Sequence, residues 1–243
     1  MIEEPSQSVS KKSSHVVLTD RDLKLLLELY ENVVTSFYQI HDLFFSGRSH
    51  ATVMNRLRLL EENGYIVRTK VPRIKSWRGD REIGVVFQVT TKAIRILQMK
   101  HSELVFNERP VVLSVPTLDH DLLINDIKSK LIGKYPGYKW INGKNLNPKD
   151  LRKIPDAVLV LANEPKAIAI ELELHAKSSQ RYSQIITEFR LTSGIEKVIY
   201  ITPNEQIDRK IKSVIEGFDV PANHRLSTKF FEFVSLNELI AAK

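Results

Sequence analysis

The sequence predicts a mixed α+β chain in two parts: a small helical unit closed by a β-hairpin, then an α/β unit built on a mixed sheet flanked by helices. Three observations carry that expectation. Capped amphipathic stretches of about ten residues fill the first quarter of the 243-residue chain. Two strand-like runs, Tyr65–Lys70 and Ile83–Val89, follow and enclose a basic loop. Beyond Thr117, short apolar runs alternate with helical stripes, the order of a layered α/β unit.

Residues 1–16 are poor in apolar types and are expected to form a disordered tail. Thr19 and Asp22 make a capping box that opens a first helix through Tyr30. A second helix fits Ser36–Phe44. After Ser46-Gly47, Ser49 can cap a third that runs to about Glu62. Its inward stripe is Val53, Leu57 and Leu60, which leaves His50, Asn55, Arg56 and Arg58 mostly outward. Asn63-Gly64 ends it, with Gly64 suited to a left-handed cap. The two strands then flank Pro72–Asp80, and Thr90 onward begins a fourth helix that leads out of the unit.

Three helices followed by a two-stranded wing, with the run RLRLLEENGYIVR, resemble the winged helix-turn-helix domain, here residues 17–110. The resemblance implies that the third helix enters a major groove and the wing tracks the backbone. Arg48, His50, Asn55, Arg56, Arg73, Lys75, Trp77 and Arg78 are then the candidate DNA contacts. Composition agrees: Arg48–Arg81 holds nine basic and three acidic residues, so most of the chain's net +7 sits in one segment. Trp77 can stack on a sugar or base, or anchor the wing on its own domain. Winged helices also serve as protein-interaction modules; the charge cluster favours DNA.

Residues 111–243 carry the second unit. A helix spans Leu118–Ile132, a short strand Tyr138–Ile141, and a hairpin joins Ala157–Leu161 to Ala167–Glu173 through the turn-like Asn163–Lys166. A helix (Ser179–Thr192), a strand (Lys197–Ile201), a helix (Glu205–Gly217), a strand (Phe230–Val234) and a short helix complete it.

The hairpin carries the chemistry. Alternation places Ala169, Glu171 and Glu173 on one face and Ile168, Ile170, Leu172 and Leu174 on the other, with Asp156 at the start of the partner strand. Three like charges so placed repel, and Mg²⁺ or Mn²⁺ with its hard oxygen ligands would relieve the repulsion. Edge strands also carry glutamates on a solvated face, and Pro-Asp often opens a turn. Lys177 follows Glu173 by four residues. Ser178-Ser179 can cap a helix whose first turns bear Arg181 and Tyr182, a setting suited to phosphate. Tyr182 reads either as a packing side chain or as a phosphate contact or nucleophile.

The hairpin and the α-β-α-β order after it resemble the restriction-endonuclease-like fold, the PD-(D/E)xK superfamily. That resemblance implies metal binding by Asp156 and Glu171; Glu173 stands where lysine is usual, which leaves Lys177 to supply the cation or merely to lie on the surface. Together with the N-terminal unit, LDHDLLINDIKSKL, IPDAVLVL and IELELHAKSSQRYSQII resemble the replication-relaxation family and, within it, MOBC-type plasmid relaxases. The resemblance runs from about Leu18 to Val234. It implies binding at a plasmid transfer origin, as duplex and single strand, and metal-dependent nicking of one strand, with a relaxosome accessory protein and a coupling protein as partners. It also matches Asp119, His120 and Asp121 to the family's acidic/His position on this helix and points to His120 as an auxiliary active-site group; the alternative is a capping role for Asp119 or Asp121.

The alternative keeps the fold without the chemistry: a DNA-binding accessory or replication-control protein with a decayed nuclease fold. The chain has no cysteine, which excludes thiolate metal sites and cysteine nucleophiles. It has no run long and apolar enough for a membrane span and no signal-peptide core, so a cytoplasmic protein is expected.

Overall fold

The computed structural model describes residues 16–77, 79–149, 151–161, 164, 166–217 and 230–241. Most of the expected tail, Arg78 and part of the hairpin turn lie outside these residues.

Helix α1 (Asp20–Asn32) starts at the Thr19/Asp22 capping box, and α2 (Phe37–Phe44) at a second box formed by Ser36 and Gln39. Ser49 caps α3 (His50–Glu62). Two side chains per box satisfy helix-terminal N–H groups that would otherwise be orphaned. Strands β2 (Ile66–Lys75) and β3 (Glu82–Val89) pair antiparallel, and α4 (Thr91–Lys100) follows. The hairpin has a third partner that periodicity does not reveal: β1 (Thr35–Ser36) joins the far edge of β3, giving the order β1-β3-β2. Two residues are too few to show a period. Leu25, Leu26, Leu29, Ile40, Val53, Leu57 and Leu60 form one core with Ile66, Phe87 and Leu97.

The second unit begins with α5 (Leu118–Lys134) and β4 (Tyr138–Asn142). Its five-stranded sheet is completed by β5 (Ala157–Leu161), β6 (Ala167–Leu172), β7 (Ile195–Thr202) and β8 (Phe231–Ser235), in the order β4-β5-β6-β7-β8. The β4–β5 and β5–β6 pairs are antiparallel, whereas β6, β7 and β8 are parallel to one another. Crossover helices α6 (Ser179–Leu191) and α7 (Glu205–Glu216) cover one face, where Ala169, Tyr182, Phe189, Val198, Tyr200 and Ile211 pack. The other face takes α5 and the terminal α8 (Leu236–Ala241), against Ile168, Ile170, Leu172, Ile199 and Ile201. The split of β6 side chains between the two cores is the alternation its sequence dictates.

Helix α5 belongs to both units. Ile124, Ile127 and Leu131 face the sheet, while Leu118 and Leu122 pack against Val34, Ile83 and Val86 of the first unit. Polar contacts reinforce that seam. Gln39 Nε2 donates to the Leu122 carbonyl (2.7 Å) and Asn125 Nδ2 to the Val34 carbonyl (2.6 Å). The buried Lys128 ammonium reaches Glu28 (2.9 Å), Glu31 (2.8 Å) and Asn32 (3.2 Å). An ammonium taken out of water needs such compensation. The seam therefore holds α5, and with it His120, fixed relative to the first unit.

Candidate functional site

Antiparallel pairing of β5 with β6 brings Asp156 and Glu171 together at one end of the sheet, and the start of α5 brings His120 to the same end. Asp156 is held by backbone: its N–H donates to the Ile170 carbonyl, and its Oδ2 accepts from the Leu172 N–H at 2.7 Å. The loop before it is pressed from behind by Gly143, whose N–H donates to the Asp156 carbonyl at 2.8 Å. A Cβ at Gly143 would stand 1.9 Å from the Pro155 carbonyl oxygen, so only glycine fits there. His120, in the first turn of α5, places Nε2 3.3 Å from Asp156 Oδ2 and 3.3 Å from the Leu172 carbonyl oxygen.

Each carboxylate has its own cationic or imidazole neighbour. His120 faces Asp156, Lys153 Nζ lies 2.9 Å from Glu171 Oε1, and Lys177 pairs with Glu173. The protonation equilibria follow. Burial alone would raise Asp156, but the His120 hydrogen bond and charge, the Leu172 N–H and Lys153 outweigh it and hold Asp156 below the usual carboxylate range. Burial, and then the charge of Asp156, push Glu171 up to about 8 against the pull of Lys153. Burial works against a charge on His120, yet the Asp156 hydrogen bond and charge raise its value above that of free imidazole. Tyr200, paired with Glu171 in register, buries a hydroxyl that has no hydrogen-bond partner among the described residues; burial and the charges of Glu171 and Glu173 drive it well above its ordinary value.

The expected three-carboxylate cluster is thus reduced. Among the described residues no group of three or more His, Asp or Glu side chains is arranged to hold a metal ion. Asp156 and Glu171 interact strongly, whereas Glu173 is engaged by Lys177. The residues that alternation cannot supply are His120 and Lys153, which arrive from α5 and from the loop before β5.

The candidate DNA contacts divide. Arg48, His50, Asn55, Arg73, Lys75 and Arg181 are exposed, and His50 lies 4.2 Å from the Phe37 ring. Arg56 is a correction: its Nε donates to the fully buried Asp22 at 2.9 Å and its Nη2 to the Val17 carbonyl at 3.1 Å. The buried cap of α1 needs a counter-charge, and α3 supplies it. Tyr182 is the second correction. It is fully buried, and its hydroxyl accepts the Lys177 N–H at 3.0 Å. It shares the stripe of Ile185, Ile186 and Phe189 on the inner face of α6, so it reaches neither DNA nor a scissile bond. Trp77 does anchor, but across the seam: its Nε1 donates to Asn237 Oδ1 of α8 at 3.4 Å. There it borders a cleft of about 490 Å³, lined also by Tyr38, Lys75, Arg81, Asp119 and His175; the carboxylate site opens instead into a smaller cavity of about 240 Å³ that His120 and Asp156 line. No helix among the described residues is long and apolar enough to cross a membrane.

No curated protein and no solved structure matches this chain. A family model does: the one described as replication-relaxation matches residues 26–190, from within α1 to within α6, with Asp156, Glu171, Glu173 and His120 all inside. The match covers well over half of the chain, and the protein belongs to the replication-relaxation family.

Proposed function

We propose that the protein is a plasmid mobilisation relaxase that binds a transfer-origin site and nicks one strand by metal-dependent phosphodiester cleavage. Family membership supports a role in plasmid replication or mobilisation. The observation that carries the chemistry is the Asp156–Glu171 pair, a half-buried and a buried carboxyl close enough that burial, and then the charge of Asp156, raise Glu171 to about 8. A hard divalent cation suits this pair in charge and donor type. Asp156 and Glu171 would hold Mg²⁺ or Mn²⁺, and the cation would supply Lewis-acid polarisation of the phosphate and a more acidic bound nucleophile.

The chain's own residues would do the rest. His120 orients Asp156 and is placed to hold or move a proton at Nε2. Lys177 and Lys153 add positive charge near a phosphate. The capped start of α6, with Arg181 exposed beside it, offers N–H groups to the strand. In the first unit, three helices and a sheet in the order β1-β3-β2 support a winged-helix reading, with α3 in a major groove and Arg73 and Lys75 on phosphates.

One observation favours a second reading. Every carboxylate of the site already has a neighbour that balances its charge, as suits a DNA-binding accessory or replication-control protein that keeps the fold without cleavage. Supercoiled plasmid carrying the candidate transfer origin separates the two. A relaxase converts it to open circles, cut at one strand position, with Mg²⁺ or Mn²⁺ and not with chelator. Specific binding without any metal-dependent nick, even with the plasmid's other mobilisation proteins added, establishes the accessory reading instead.

A further inference from the structure

The seam between the two units is not closed along its whole length. Its cleft of about 490 Å³ falls in the size range of small-ligand pockets, roughly 300–1,000 Å³. Buried Ile83, Leu122, Leu123 and Ile240 line it as apolar surface, and Trp77 lines it from the end of β2. The Trp77 indole is tethered at its edge, where Nε1 donates to Asn237 Oδ1 at 3.4 Å, yet it is 41% exposed. A ring held by its edge keeps surface available for stacking. Tyr38 is the poorer platform, because the Arg81 guanidinium already lies over its ring, 4.9 Å from the centre.

We propose that this cleft takes one unpaired base of a DNA strand, stacked on Trp77, with its sugar and phosphate left at the rim beside Lys75. The inference rests on DNA binding alone and holds for a relaxase and an accessory protein alike. The charges inside the cleft argue for a base over a phosphate. Arg81 donates to Asp42 at 2.6 Å, and Gln39 donates to Asp126 at 2.8 Å, so acids and donors there are matched to one another. Such a lining suits a flat, neutral ligand with polar edges, and a π-face accepts any base. Lys75, exposed and two residues before Trp77, is placed for the phosphate that the cleft itself does not favour. The position on the molecule agrees. Asp119 lines this cleft and His120, the next residue of α5, lines the cavity at Asp156, so the base site and the carboxylate site share the start of one helix.

The test uses the full chain in chelator, so that no strand is cut, and compares a blunt duplex with the same duplex carrying a single-stranded tail of about six nucleotides. Affinity is read by anisotropy and stacking by tryptophan emission. The chain has two tryptophans, and Trp140 is 5% exposed, so quenching by a base reports Trp77. The tailed duplex is expected to bind roughly tenfold more tightly than the blunt one and to quench the emission. Trp77→Leu should lose that gain and leave blunt-duplex affinity within about twofold, whereas Trp77→Phe keeps part of the gain. An abasic scan of the tail needs no variant: one abasic position should remove most of the gain. Equal affinity for the two duplexes with unchanged emission overturns the base site and leaves duplex binding standing. A gain that survives Trp77→Leu, or every single abasic replacement, places the tail elsewhere and overturns it too. Saturable quenching by free deoxynucleoside monophosphates, with no gain from the tail, makes the cleft a free-nucleotide site instead. No affinity for either duplex removes the DNA-binding reading and the base site with it.

Discussion

Replacing Glu171 with Gln should stabilise the metal-free protein above pH 7 and flatten the dependence of its stability on pH. The folded-state value of Glu171 is about 8, above its ordinary 4.5, because burial and Asp156 disfavour the charge. The fold therefore favours the protonated carboxyl. That contribution is fully present below pH 4.5 and is lost as pH rises through about 8. At 1.36 kcal/mol for each pH unit separating the two values, ionising Glu171 in the fold costs about 5 kcal/mol. For a chain of this size that is on the order of 10 °C in melting temperature. His120 acts in the same direction, since its raised value also makes stability fall as pH rises through it. Asp156 is depressed, so its contribution is lost only as pH falls below the ordinary carboxylate range. The difference between wild type and Glu171→Gln thus isolates Glu171. The amide oxygen can still accept from Lys153. Melting curves in chelator at half-unit steps from pH 5 to 9 should diverge, with the variant ahead by several kcal/mol at pH 9 and by little at pH 5. Parallel curves for the two proteins would refute a Glu171 proton held by burial and Asp156.

Three further outcomes follow from named contacts. Gly143→Ala should displace the Pro155-Asp156 backbone, lowering the urea midpoint by the equivalent of about 1–3 kcal/mol and abolishing any plasmid nicking; an unaltered nicking rate would show that Asp156 does not depend on this contact. Arg56→Ala should leave Asp22 charged and unpaired in the first core, costing about 3 kcal/mol in chemical denaturation. DNA sequence preference should stay as it was, and a relaxed preference would return Arg56 to the groove. Arg73→Gln with Lys75→Gln should weaken binding to every duplex and lower the slope of log affinity against log salt by about 2, read by fluorescence anisotropy. A slope equal to wild type would take the hairpin off the phosphates.

Local rules sufficed wherever the determinant was local. The Thr19, Ser36 and Ser49 caps fixed where the first three helices begin, because each side chain satisfies N–H groups only three residues away. A period of two along β6 put Glu171 on the face of Ala169 and opposite Ile170, and the five-stranded sheet keeps that arrangement. The burial of Tyr182 was legible too, in its spacing from Ile185, Ile186 and Phe189. What tertiary structure alone decided is which charge meets which. His120 reaches Asp156 because the first turn of α5 meets the end of β6 at the Leu172 carbonyl, and Lys153 reaches Glu171 because Gly143 and the Pro155 backbone set the path of its loop. Arg56 left the outward face of α3 because the buried Asp22 of the α1 capping box lies beneath it. Such pairs are separated by 18 to 36 residues, and their geometry depends on how layers stack rather than on any period along the chain. The sequence by itself determined the elements, their faces and the two strands that carry the carboxylates; the packing of α5 and one loop decided how those carboxylates are charged, since burial and neighbouring ions, not residue type, set a protonation state.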